Sequence, residues 1–128
     1  MTPDLTLLVW SVALAFVQIM VAAGGNTRQV GLAPLAGNRE GLPAPTGWAG
    51  RAKRAAANML ETLPLFAILV LTAHVGGRVT PMVVIGAQLY FWARLIYLPV
   101  YAAGIPYLRT LVWTVSIIGI VLLLVALF

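Results

Sequence analysis

The sequence predicts an all-α integral membrane protein, a bundle of four membrane-spanning helices in a single domain. Of its 128 residues, 62% are hydrophobic and 9% are charged, whereas a soluble domain is about 25% charged. Four apolar stretches are each long enough to span a bilayer, which takes roughly 20 helical residues. The predicted helices cover about residues 5–23, 52–75, 81–101 and 106–128, and a chain of this length forms one domain.

The first predicted helix, residues 5–23, follows a tail that carries Asp4 and no basic residue. A cleaved signal peptide begins with positive charge, so this segment is expected to remain as a spanning helix. Residues 24–50 contain repeated glycines and prolines, which are turn and breaker signals. They predict a long irregular loop, and loops of this length are usually functional or disordered.

The remaining helices are separated by short connections. Pro81 follows Thr80 and predicts the start of the third helix, and Pro106 begins the fourth, because proline is favoured at the first helical position. Pro64 lies inside the second predicted helix, where it removes a backbone hydrogen bond and kinks the helix.

The distribution of basic residues predicts the orientation. The first loop and the start of the second helix carry five of the eight basic residues, and the N-terminal tail carries none. Positive charge favours the cytoplasmic side, so the first and third loops are predicted to be cytoplasmic, with both termini on the other side. The five residues are Arg28, Arg39, Arg51, Lys53 and Arg54.

Composition excludes several functions. The chain has no cysteine and a single histidine, His74, so it has no disulfide, no thiolate nucleophile and no cluster of metal ligands. The net charge of +5 could suggest nucleic-acid binding. However, the bases are scattered among apolar helices, so we predict no metal and no nucleic acid.

A polar stripe runs along the second predicted helix. Arg51, Arg54, Asn58 and Glu61 are spaced three, four and three residues apart, which places them on one helical face. Such faces in lipid must point inward or toward another subunit, because a charge at the bilayer centre costs about 2.5–3.5 kcal/mol. Two further stripes are predicted at the same depth, formed by Tyr90, Arg94, Tyr97 and Tyr101, and by Arg109, Trp113 and Ser116.

The stripes have two interpretations. In the structural one, Glu61 pairs with Arg94 or Arg54 to fix helix register, the tyrosines form an interfacial belt, and Arg109 anchors the topology. In the functional one, a single carboxylate faces three arginines, with Arg51 and Lys53 at the mouth of a positive cavity. Arginine binds carboxylates in a bidentate manner, so this cavity suits a small zwitterion with two carboxylates.

These residues resemble the MAPEG family, membrane-associated proteins in eicosanoid and glutathione metabolism. The segment Arg51–Phe66, with Arg54-Ala-x-x-Asn58-x-x-Glu61 inside it, is similar to the family's second-helix signature. The pattern on the last two helices is also similar, with Arg94-x-x-Tyr97-x-x-x-Tyr101 followed by Pro106-x-x-Arg109-Thr110. The resemblance covers essentially the whole chain in its layout.

The resemblance implies a homotrimer in which glutathione lies between neighbouring subunits and opens to the cytoplasm. It implies cosubstrate contacts from Asn58, Glu61, Arg94 and Tyr101, and catalytic roles for Arg109 and Thr110. Arg54 and Tyr97 are added to the predicted cosubstrate contacts because they lie on the same polar stripes. Three positions depart from the family pattern: Ala57 where an arginine is frequent, Tyr97 where some members have histidine, and Trp113 where a tyrosine is frequent.

The expected function is a glutathione-dependent transferase or peroxidase acting on a small lipophilic electrophile that arrives through the membrane lipids. Arg109 would stabilise the thiolate and Thr110 would donate a hydrogen bond to it. The alternative is a non-catalytic trimeric membrane scaffold or lipid-binding protein of the same fold. A transporter is a weaker third, because the chain has no pair of broken helices. A bacterial inner membrane is the expected location.

Overall fold

The computed structural model describes all 128 residues, and its regular elements are all helices. Four of them, α1, α3, α4 and α5, are long and apolar enough to cross a membrane. The prediction of an all-α membrane bundle of four helices is therefore confirmed. In chain order the elements are α1 (Pro3–Val30), α2 (Leu32–Ala36), α3 (Gly47–Val75), α4 (Pro81–Ala103) and α5 (Pro106–Leu127).

The helices run alternately up and down, so the bundle has two distinct ends. The end that carries residues 31–46 and the α4–α5 connection is called the loop face. The end that carries the N-terminus and the α3–α4 connection is called the far face. Along the chain, α1 and α4 run toward the loop face, and α3 and α5 run away from it.

The segment predicted as an irregular loop, residues 24–50, is largely helical. The helix α1 continues to Val30 and α3 begins at Gly47, with the short α2 between them. The cause is tertiary packing, which overrides the weak helix propensity of glycine. A Cβ at Gly25 would lie only 2.9 Å from the Cβ of Ala49, so the glycine lets the extended ends of α1 and α3 pack together.

Side-chain and backbone contacts hold the remaining loop against the helices. The Gln29 amide donates to the Thr46 carbonyl at 2.8 Å, and it accepts from the Thr46 N–H at 2.9 Å. A Cβ at Gly50 would lie 2.6 Å from the Pro45 carbonyl oxygen, so the loop passes directly over the start of α3. Residues 37–46 are therefore fastened to both α1 and α3.

Two glycines bring α4 and α5 together in the half of the bundle near the far face. A Cβ at Gly86 would lie 2.8 Å from the Gly119 carbonyl oxygen, and one at Gly119 would lie 2.6 Å from that of Gly86. Small residues allow this close backbone approach between membrane helices. At the other end of α4, Gly104 adopts a left-handed conformation with φ of +73°, which ends the helix and starts the turn into α5.

The apolar core fills the far half of the bundle. Phe66 is fully buried and stacks on Tyr90, with ring centroids 4.1 Å apart. The Tyr90 hydroxyl lies 2.9 Å from the Thr62 hydroxyl, so this polar tip has a partner inside the core. The other fully buried apolar side chains of this region are Val70, Ala73, Val83, Ala87 and Leu123.

A buried polar row on α1 was not anticipated from the sequence. Asp4, Ser11 and Gln18 are each at most 1% exposed, and their seven-residue spacing places them on one face. Ser11 donates to the Leu7 carbonyl, whereas both amide atoms of Gln18 have no partner. At the far face, an Asp4 carboxylate oxygen lies 3.5 Å from Nδ1 of His74, which ties the start of α1 to the end of α3.

Candidate functional site

A polar cleft of about 290 Å³ opens between α3, α4 and α5 in the half of the bundle near the loop face. It contains five of the eight predicted site residues, and none of its lining side chains is a carboxylate. Trp113, which the sequence placed on the stripe of Arg109 but not among the predicted site residues, completes the lining. The lining residues are Asn58, Tyr97, Tyr101, Arg109, Thr110 and Trp113.

The antiparallel register of α3 and α4 brings the polar stripes together. Asn58 lies opposite Arg94, and one turn further along α3, Thr62 lies opposite Tyr90. The turn at Gly104 then folds α5 back along α4, which places Arg109 beside Tyr101. The stripes predicted on three separate helices therefore do meet at one depth.

Arg94 supports the cleft from behind. It is fully buried, and its Nη1 donates to Oδ1 of Asn58 at 2.7 Å, while its Nε donates to the Met59 sulfur at 3.3 Å. Its guanidinium carbon lies 4.3 Å from the centre of the Tyr97 ring. In the subunit, Arg94 therefore positions Asn58 and Tyr97, which line the cleft, and does not line the cleft itself.

Tyr101 lies between two arginines at the mouth of the cleft. Arg54 donates from Nε to the Tyr101 hydroxyl at 3.0 Å, and the guanidinium carbon of Arg109 lies 5.1 Å from the centre of its ring. Nearby, Arg51 donates to the Ala102 carbonyl at 3.2 Å. These contacts fasten the start of α3 to the end of α4 and keep two cations at the opening.

The cleft presents hydrogen-bond donors that the protein does not use. The Arg109 guanidinium, the Asn58 side-chain N–H groups and the Tyr97 hydroxyl make no hydrogen bond within the chain. Thr110 differs, because its hydroxyl donates to the Pro106 carbonyl at 3.2 Å. A guanidinium and unused donors without a carboxylate are suited to an anionic ligand.

Two residues lie elsewhere than the sequence suggested. Glu61 is exposed, and the ion pair between it and Arg54 or Arg94 is absent from the subunit. Those guanidinium groups instead contact Tyr101 and the Asn58–Met59 pair. Lys53 does not stand at the mouth of the cleft, because one residue of helix rotates it about 100° from Arg54. It lines a different cavity under the loop.

Met59 is the site-supporting residue that the sequence analysis missed. Its sulfur accepts from Arg94 Nε and lies 3.7 Å from the Tyr90 hydroxyl. A methionine in an apolar helix gives no signal of such a role, because the sulfur is only a weak acceptor.

The buried polar row on α1 was also missed, but it did carry a signal in the sequence, since Asp4, Ser11 and Gln18 recur every seven residues.

The fold and the cleft together define a class, a four-helix membrane protein with a cation-lined polar cleft inside the bundle. Comparison of the sequence with protein families then identifies the group within that class. The model of the MAPEG family matches residues 6–128, and the chain belongs to this family. It is therefore an integral membrane protein. No curated protein and no solved structure gives a match.

Proposed function

We propose that the protein is a membrane-bound glutathione-dependent transferase or peroxidase that acts on lipophilic electrophiles. The observation that carries the proposal is the free guanidinium of Arg109, placed in a donor-lined cleft that contains no carboxylate. Membership of the MAPEG family supports glutathione as the ligand. Glutathione carries two carboxylates and one thiol, so three negative groups can form in the cleft once the thiol is ionised.

The cosubstrate contacts follow from the available donors. The Asn58 amide and the Tyr97 hydroxyl each offer a donor to a glutathione carboxylate, and Arg54 adds positive charge at the mouth. Arg94 acts indirectly, by holding Asn58 and Tyr97 in place. Glu61 would bind the glutathione ammonium. Because Glu61 is exposed and does not line the cleft, this contact requires that the ligand extend to Glu61 or that a neighbouring subunit hold the ligand beside it.

Arg109 has the proposed catalytic role. A thiol with a pKa of about 8.5 is a poor nucleophile at neutral pH, and an adjacent cation favours the thiolate. In conjugation, the thiolate sulfur forms a bond to an electrophilic carbon while the leaving group departs with its electron pair. In hydroperoxide reduction, the same sulfur attacks one peroxide oxygen and the O–O bond breaks; the alkoxide takes a proton from water and departs as an alcohol, and a second glutathione reduces the sulfenic acid left on sulfur to give the disulfide and water. Thr110 can donate only after it releases the Pro106 carbonyl.

The proposal includes a homotrimer with cytoplasmic first and third loops in a bacterial inner membrane. Glu61, Arg54 and Ala57 are exposed on one side of α3, where a lone subunit would present a carboxylate to lipid. A second copy packed on this side would cover it and close the cleft. Native mass spectrometry in mild detergent is expected to show three copies, and a clean monomer would contradict this arrangement.

The alternative function is a non-catalytic trimeric scaffold or lipid-binding protein. Two features favour this alternative. Ala57 supplies no hydrogen-bond donor to a ligand, and the Thr110 hydroxyl already donates to the Pro106 carbonyl. In that case the cleft would hold an anionic headgroup in place of glutathione. The two functions therefore predict different occupants for one site.

Isothermal titration with glutathione distinguishes them. The wild-type protein is expected to bind glutathione, and Arg109→Ala to bind it about tenfold or more weakly, because a charge-assisted hydrogen bond is lost. Arg78→Ala is the matched control, since Arg78 lies at the far face and donates to the Leu127 carbonyl. Absence of glutathione binding in the wild type, together with a co-purified phospholipid that Arg109→Ala loses and Arg78→Ala retains, would favour the scaffold.

A further inference from the structure

A second cavity, separate from the cleft, lies under the loop at the loop face. It has a volume of about 240 Å³ and is bounded by the end of α1, by α2, by residues 42–45 and by α3. Two basic side chains, Arg39 and Lys53, line it. The other walls include Asn26 and the apolar side chains of Leu35, Leu42 and Pro43.

The cavity is formed by the folded loop itself. The paired hydrogen bonds between Gln29 and Thr46 hold the loop against α1, and the Pro45 carbonyl rests on Gly50. Arg39 adopts a positive φ of 63°, which is uncommon for a residue with a side chain. Its Nε donates to the Leu35 carbonyl at 2.7 Å, so the side chain is held in place while its terminal nitrogens make no other bond.

The charge of the cavity is positive. Neither Arg39 nor Lys53 has an acidic partner, since the one close contact between a basic side chain and a carboxylate in the chain joins His74 to Asp4. Glu40 follows Arg39 in sequence, but it is exposed and does not line the cavity. Asn26 contributes a buried carbonyl oxygen, Oδ1, that has no hydrogen-bond donor, and this acceptor suits a hydroxyl and not an anion. The groups of the cavity that can bind an anion are therefore Arg39 and Lys53.

The position of the cavity relates it to the membrane surface. The helices α1 and α3 have 28 and 29 residues, so each is about 42–44 Å long at a rise of 1.5 Å per residue. The hydrocarbon core is only about 30 Å thick, and both helices extend beyond it. Lys53 lies about 9 Å along α3 from its start, near the edge of a hydrocarbon core centred on the helix. Leu32 on α2, beside the cavity, is 71% exposed.

We propose that this cavity binds the phosphate of an anionic membrane lipid. Arg39 and Lys53 would donate to the phosphate oxygens, as both side chains commonly do in phosphate sites. The apolar wall and the exposed Leu32 would contact the start of the acyl chains. A free phosphate shares the same headgroup chemistry, and the apolar wall is the reason for choosing the lipid. The site does not depend on glutathione chemistry in the cleft.

Native mass spectrometry of the full chain in mild detergent tests this site, with phosphatidylglycerol as the probe and phosphatidylcholine as the net-neutral comparison. The wild type is expected to retain phosphatidylglycerol preferentially. The double variant Arg39→Gln/Lys53→Gln should weaken that binding about tenfold or more, because two charge-assisted contacts are lost. Arg28→Gln is the matched control, since Arg28 is an exposed base near the same end of α1 that lines neither cavity.

Three results would overturn the proposal. Equal loss in Arg28→Gln and in Lys53→Gln, each of which removes one charge, would mean that diffuse surface charge attracts the lipid. Unchanged lipid binding in the double variant would remove Arg39 and Lys53 from the site. Binding of inorganic phosphate by the wild type, without any preference between the two lipids, would assign the cavity to the free ion. If the double variant does not fold, Lys53→Gln alone replaces it, because the exposed Lys53 side chain makes no hydrogen bond.

Discussion

The two halves of the bundle use the same helices for different purposes. In the half near the far face, the interior is mostly apolar apart from the polar row on α1, and it is closely packed, with Phe66, Val70 and Ala73 fully buried. In the half near the loop face, the interior holds a buried arginine, Arg94, and an open cleft. Packing between membrane helices depends on van der Waals contact and small residues. The far half is therefore expected to supply stability, and the loop half the chemistry.

The seam between α4 and α5 shows the same contrast along its length. Gly86 and Gly119 meet near the far face, with no room for a Cβ on either residue. Toward the loop face, the positions on these two helices are occupied by large rings, those of Tyr97, Tyr101 and Trp113, and the cleft opens among them. The change from glycine to aromatic residues along one seam accounts for both the tight contact and the cavity.

A substitution in the core of the far half should cause the largest effect, a loss of stability. Phe66→Ala should cost about 3–5 kcal/mol of unfolding free energy, because it leaves a cavity beside the stacked Tyr90 ring. Its neighbour Leu65 is 54% exposed toward lipid, so Leu65→Ala should cost far less. Reversible denaturation in mixed micelles measures both. Equal losses for the two variants would contradict the assignment of stability to the far half.

The next largest effect should be a loss of turnover at the cleft in a protein that is still folded. Arg109→Ala should lower turnover of glutathione with a chlorinated nitroarene by about 10²–10³, the usual loss when one group that stabilises developing negative charge is removed. The thermal midpoint should fall only slightly and the number of copies per assembly should stay the same, because the Arg109 guanidinium makes no hydrogen bond within the chain and contacts only the face of the Tyr101 ring. A variant that loses activity only together with its fold would assign Arg109 to structure.

The smallest effect, on glutathione binding, is expected at Glu61, which lies at the edge of the site. Glu61→Gln should weaken glutathione binding by about tenfold, because one charge-assisted contact to the ligand ammonium is lost on the side of α3 that a second copy would cover. Thermal stability measured at the same time separates a ligand contact from a subunit contact. Glu40→Gln, at an exposed loop carboxylate, is the control. A loss of turnover as large as that caused by Arg109→Ala would place Glu61 in the catalytic centre.

Much of this architecture could be predicted from the sequence, because membrane spans follow from length and hydrophobicity. The polar stripes could also be predicted, since residues three and four apart share a helical face. The stripes did not reveal which side chains would be enclosed. Arg94 and Asn58 were both expected to contact ligand, yet the structure uses one to hold the other at 2.7 Å.

The loop was the least predictable region. Gly24, Gly25 and Asn26 signal a break in a helix, but the contact of Gly25 with the Trp48–Ala49 segment extends α1 to Val30. That contact joins residues far apart in sequence, so no local pattern announces it. The cavity under the loop is a consequence of the same packing.

Ultraviolet absorbance of the thiolate shows directly whether Arg109 stabilises a glutathione thiolate in the cleft. Adding millimolar glutathione to the wild-type protein at neutral pH is expected to produce a thiolate band. Arg109→Ala should remove that band, and Arg78→Ala should retain it. Absence of the band in the wild type, or an equal band in wild type and Arg109→Ala, would contradict the proposed chemistry.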